Sequence, residues 1–166
     1  MNHPLFSQKC VVLGCGNPLL GDDGFGPKVI EHLEALGPPP PTTAYVDAGT
    51  AVRDILFDLL LSPEKPQLLI IVDTGHHPEK APGEIFEIRV DQVQPAKIHD
   101  FSLHQFPTTN LLKELSEHTD VRVRVWVVQP AVIPDRVSEG LSEPVARAVP
   151  RMAERILELI RQEGCA

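Results

Sequence analysis

Three cysteines in 166 residues are too few to staple a disulfide scaffold. Two of them, Cys10 and Cys15, share one extended apolar segment and sit ~17 Å apart at the rise of a strand. That is far beyond the ~7 Å reach of a bridge, so reduced thiols are expected. Long hydrophobic runs are missing as well. The longest, 68–72, is well short of the ~20 residues that cross a bilayer. The opening MNHPLFSQKC has no basic segment followed by a sustained apolar core, so it does not read as a secretory signal. A cytoplasmic protein that does not insert into membrane is the expectation. Positive charge is also scarce: 15 Lys and Arg stand against 23 Asp and Glu, for a net charge of −8. With no basic face carrying interleaved aromatics, nucleic acid is excluded as a partner. Aromatic residues are only 5% of the chain and offer no dimer patch, so a monomer is expected.

What remains is a globular composition, 42% apolar and 23% charged. At this length one core can remove roughly 70% of the unfolded surface from water, so 1–166 reads as a single domain with 1–8 as a poorly ordered start. Seventeen prolines are about twice ordinary usage, but most lie between apolar segments and stiffen loops, as in the GPPPP run at 37–41.

Segment 10–15 (CVVLGC) is short, valine-rich and apolar, the mark of a buried strand. A helix follows with Pro27 in its first turn and Val29, Ile30, Leu33 and Leu36 on one face. A weak strand at 43–46 leads to a second helix from about Ala51, with Thr50 as its N-cap. Segment 67–72 (QLLIIV) is the strongest strand, and 84–90 alternates as a strand with one wetter face. Thr108 or Thr109 can cap a helix carrying Leu111, Leu112 and Leu115, and 121–128 is the last strand. The C-terminal helix keeps Val145, Val149, Met152, Ile156 and Leu159 in phase, with a kink or restart expected at Pro150. This order, βαβαββαβα, predicts a three-layer α/β/α domain with a mainly parallel twisted sheet of about five strands, one of them antiparallel. In such sheets ligands gather beyond the carboxyl ends of the strands.

Three ionisable side chains fall just past apolar segments: Asp23, Asp73 and His104. Two carboxylates and an imidazole suit a borderline divalent ion such as nickel or zinc, with positions left open for a substrate. Blander readings stand beside this one. Asp22 or Asp23 can cap the helix near Pro27, Asp73 can be a turn residue, and His104 can be a histidine held under a loop. The Gly14-Cys15-Gly16 pattern fails as a dinucleotide fingerprint because Leu19 stands where its third glycine belongs. There is no GxSxG elbow, and Cys15 reads as a small core residue. His76, His77 and His99 read as loop residues.

Taken in order, GNPLLGDDGFG at 16–26, DAGT at 47–50, IIVDTG at 70–75 and SLHQ at 102–105 resemble the nickel-iron hydrogenase maturation endopeptidases. The resemblance extends over most of the chain. It implies a protease that removes a C-terminal extension from the hydrogenase large-subunit precursor once nickel has been inserted. Carried over residue by residue, the family's metal-contacting and catalytic positions fall on Asp23, Asp73 and His104. Asp47 falls on the DxGT acid implicated in substrate handling or cleavage, with Gly49, Thr50 and Asn17 as substrate-side positions. Asn17 and Asp22 take supporting roles such as loop hydrogen bonding and capping. The nickel belongs to the precursor. No permanent cofactor is expected, although zinc, cadmium or nickel can occupy such ligands in the isolated protein. Hydrolysis by metal polarisation and hydrolysis by carboxylate-assisted water both fit the residues. Leu103, where relatives often have proline, and QPAVIPD at 129–135 depart from the pattern and bear on loop shape. HDFSLHQF at 99–106 looks most like the branch serving deazaflavin-reducing or related cytosolic hydrogenases. Two alternatives remain: a nickel-site chaperone that binds the same precursor without cutting it, and an unrelated phosphorylase-like α/β enzyme using the glycine loop for an anion.

Overall fold

The computed structural model describes residues 4–90 and 106–165. Five strands, β1 (Cys10–Cys15), β2 (Thr43–Gly49), β3 (Leu68–Thr74), β4 (Ile85–Ile88) and β5 (Arg122–Val128), form one sheet in the order β2-β1-β3-β5-β4. All neighbouring pairs are parallel except β4 with β5, which is antiparallel. The helices are α1 (Phe25–Leu36), α2 (Val52–Leu61), α3 (Phe106–His118) and α4 (Glu143–Gln162). This is the single three-layer α/β domain that the alternation of periodicities predicts.

Strand parity sorts the core into two halves. Val12, Ile70 and Val72 face α1 and α4, where they join Val29, Ile30, Met152 and Ile156. Val11, Leu13, Leu69 and Ile71 face the other layer and pack with Leu56, Leu59, Leu112 and Leu115. β1 and β3 are buried along their whole length because both faces are covered, which is why they read as continuous apolar runs. The crossing of α1 over β1 depends on glycine. A Cβ on Gly26 would lie 2.2 Å from the Cys15 carbonyl oxygen, and one on Gly14 would lie 2.5 Å from the Gly26 carbonyl oxygen. The glycines of the motif therefore serve close helix–strand contact.

Several boundaries differ from expectation. Pro4–Ser7 form a 3-10 turn that buries Phe6 in the core, so this part of the chain start is packed. β3 continues through Asp73 and Thr74, which pair with Val127 and Val128; Asp73 is a strand residue, because ladder pairing and not apolarity ends the strand. β2 likewise absorbs Asp47 and ends after a bulge between the Gly14 and Cys15 positions. The N-cap of α2 is Ala51, with no side-chain capping bond, so Thr50 does not cap it. α3 begins at Phe106, ahead of Thr108 and Thr109. α4 runs without a restart through Pro150, whose ring is exposed while the apolar stripe of the helix stays buried.

Candidate active site

Strand order places the sheet's change of winding direction between β1 and β3, since the chain leaves β1 for β2 on one side and reaches β3 on the other. The carboxyl ends of β1, β2 and β3 carry the polar residues of three of the four motifs. Asp23 lies in a short 3-10 turn, Gly21–Gly24, and is 1% exposed. Its Oδ2 accepts the Asn17 backbone N–H at 3.0 Å, and its Oδ1 accepts the Thr74 hydroxyl in a long bond of 3.4 Å. Asp73, also 1% exposed, accepts the backbone N–H of Thr74 at 2.7 Å. By strand parity Asp73 shares the face of Ile71, and Thr74 that of Val72. The two acids thus approach the sheet edge from opposite faces.

Gly16 stands between them with φ 128°, in the region that favours glycine. A Cβ here would lie 1.9 Å from the Asp23 carbonyl oxygen, so the Asp23 turn packs on the end of β1 only because this position is bare, and Asp73 Oδ1 lies 3.5 Å from the same point. The Gly16 N–H donates to the Gly49 carbonyl at 3.0 Å and ties the DAGT motif to the same edge. Asp47 and Thr50 are exposed there, with Gly49 half-buried. Burial, reinforced by the negative charges of Asp73, Asp47 and Asp23, pushes the Cys15 thiol well above its ordinary range. A thiol held protonated in this way is a poor nucleophile, in keeping with a packing role.

Asn17 shapes the loop: its Oδ1 accepts the Leu19 N–H at 3.0 Å while its own N–H holds Asp23. Asp22 does not cap α1, whose N-cap is Gly24. It is buried and accepts the N–H groups of Ala131, Val132 and Ser142 at 2.8, 3.0 and 2.7 Å, and the Ser142 hydroxyl at 2.9 Å. Ser142, the N-cap of α4, makes no capping bond of its own. Asp22 is therefore a clamp between the loop after β1, the loop after β5 and the start of α4. The loop hydrogen bonding expected of Asp22 is observed, but sequence reasoning missed its distant partners and the part played by Thr74. A polar β-branched residue straight after an acid at the end of an apolar strand was the only signal for the latter.

His104 lies outside the described residues, as do His99 and Leu103. Among the described residues no group of three His, Cys, Asp or Glu side chains is arranged to hold a metal, and the expected set includes His104. His76 is exposed and His77 half-buried in the loop after β3, where His76 Nδ1 lies 3.0 Å from the Gln129 side-chain amide nitrogen and the His77 N–H donates to Gln129 at 2.7 Å. They belong to the loop, as expected. No helix among the described residues is long and apolar enough to cross a membrane.

Comparison with known proteins meets this geometry. The family model described as hydrogenase maturation protease, HycI, matches residues 27–159, beginning just after Asp23. The chain is 35% identical over 156 residues to a putative hydrogenase maturation protease of Methanocaldococcus jannaschii, covering 93% of this chain and 98% of that protein. It is 32% identical over 158 residues to the coenzyme F420 hydrogenase subunit delta of Methanothermobacter thermautotrophicus, covering 93% and 96% respectively. The solved structure of the hydrogenase maturating endopeptidase HybD from E. coli superposes with a TM-score of 0.76 at 28% identity, over 94% of both chains. Sequence and fold agree across nearly the whole length, and this chain belongs to the hydrogenase maturation protease family of peptidases.

Proposed function

We propose that this protein removes a C-terminal extension from the large-subunit precursor of a nickel-iron hydrogenase after nickel has entered it. In this reading Asp23, Asp73 and His104 contact the precursor's nickel, and Asp47, with Gly49 and Thr50, handles the peptide beside it. The observation that carries the reading is the convergence of the Asp23 turn, Asp73 and the DAGT loop on Gly16 at the carboxyl edge of the sheet. α3 supports the assignment of His104: its 13 residues, ~20 Å of helix, return the chain to the start of β5, so Phe106 begins it toward the acids' edge. A nickel already held by the precursor takes oxygen and nitrogen ligands readily, so contact through these residues makes cleavage conditional on the metal. The enzyme then needs no resident cofactor, works as a monomer and acts in the cytoplasm, where its substrate is assembled. The 32% identity to a coenzyme F420 hydrogenase subunit supports a precursor of the deazaflavin-reducing branch. Anion binding at the glycine loop has little support, because the Asn17 N–H is already taken by a carboxylate.

Intact-mass measurement of the precursor, nickel-loaded or nickel-free, tests the proposal. The unaltered protein is expected to release one C-terminal peptide only from the nickel-loaded form, and Asp23→Asn to slow release at least ~100-fold. Binding without any mass change replaces protease action by a chaperone role. Equal cutting of the nickel-free form removes the metal-reading role of the acids.

A further inference from the structure

Large apolar side chains are exposed beside the acids. Leu19 is 43% exposed, Val132 63%, Ile133 39% and Val137 73%, and all four lie on two loops, one following β1 and one following β5. The loops are bound to each other. Leu20 and Ser138 form a parallel bridge, with the Ser138 N–H donating to the Leu19 carbonyl at 2.8 Å and the Gly21 N–H to the Ser138 carbonyl at 2.7 Å. The Asp22 carboxylate adds its bonds to Ala131, Val132 and Ser142. Backbone ties of this kind hold the apolar side chains outward, where a slack loop would turn them in. Asp22 is followed directly by Asp23, so the lip and the candidate catalytic edge are built on adjacent residues.

We infer that this lip is a docking surface for an apolar stretch of the precursor polypeptide, next to the segment presented to Asp23 and Asp73. The inference rests on the protease reading above. A peptidase must hold its polypeptide across the catalytic edge, and the lip is the apolar border of that edge. Its size favours this occupant over a second copy of the chain. Four side chains expose on the order of a few hundred Å², against ~800 Å² per partner in a stable standard interface. Such a patch is enough as one part of a contact whose other part lies at the acids.

The test is the double variant Val132→Asp/Val137→Asp, at positions too exposed to disturb the core, with folding checked by circular dichroism. Cleavage of the nickel-loaded large-subunit precursor is followed by intact mass across precursor concentrations, and binding is titrated in parallel. The double variant is expected to need on the order of tenfold more precursor for half-maximal rate and to bind it as much more weakly, with the maximal rate within ~2-fold. Phe57→Asp and Leu61→Asp, at exposed apolar positions on α2, are expected to change neither quantity. Unchanged half-saturation and binding in the folded double variant overturn the docking surface. Should the unaltered protein bind without cutting, the protease reading fails while the binding comparison still decides the lip. Sedimentation showing a dimer that the double variant abolishes assigns the lip to self-association and overturns the inference.

Discussion

Near the start of β5, acidic side chains are answered by arginine. Arg124 grips Glu87 through Nε and through Nη2 at 2.9 Å and reaches Glu163 at 3.3 Å, while Arg122 also pairs with Glu163. Glu87 holds the Arg124 guanidinium protonated still more firmly than usual. At the opposite end of the sheet, Asp22, Asp23 and Asp73 accept from backbone N–H groups and hydroxyls. An arginine partner cancels a carboxylate's charge; a peptide dipole or hydroxyl orients it and leaves the charge in place. One edge thus uses acids to fasten strands and helix ends together. The other fixes them by hydrogen bonds at the carboxyl ends of the strands. Within that second edge the neighbours differ again: Asp22 spends four bonds on joining distant loops, while Asp23 accepts the Asn17 N–H and the Thr74 hydroxyl.

The sharpest break of this contrast comes from the neighbouring acids themselves. Asp22→Ala is expected to cost about 3 kcal/mol in urea denaturation, since it removes charge-assisted bonds and strands the N–H groups of Ala131, Val132 and Ser142. Asp23→Asn, which slows cleavage at least ~100-fold in the proposal above, is expected to leave stability within about 1 kcal/mol. An equal loss in both would make the acids of this edge structural alike. At the other edge, Arg124→Ala is expected to cost about 1 kcal/mol, as befits a partly exposed pair, and to leave cleavage unchanged. A fall in precursor cleavage there would link the two edges.

An effect confined to alkaline pH concerns the buried thiols. Burial, helped by nearby Cys165, pushes the Cys10 thiol up to about 12 from 9.0. A raised thiol keeps its proton in the folded state while the unfolded chain gives it up. The stability it contributes is therefore present below pH 9 and is lost as pH rises toward 12. The free energy of unfolding should fall by about 1 kcal/mol per pH unit in that window, and less steeply in Cys10→Ala. Identical slopes in the two proteins would sink the assignment.

The amino-acid order alone determined the alternation of strands and helices, because a strand buried on both faces must be apolar throughout and a helix covering a sheet must carry a stripe. Segments 10–15 and 67–72 were legible for that reason. The four motifs were legible as a family resemblance and placed Asp23, Asp47 and Asp73 at strand ends. Other features came only with tertiary contact. Asp73 and Thr74 belong to β3 because Val127 and Val128 pair with them, a fact held by another strand. Pro150 neither stops nor restarts α4, since the stripe from Val145 to Leu159 is buried along the whole helix and outweighs one missing N–H. The work of Asp22 depends on Ala131, Val132 and Ser142, more than a hundred residues away in sequence. No local pattern can tell two adjacent aspartates apart when the donors that distinguish them arrive from the far end of the chain.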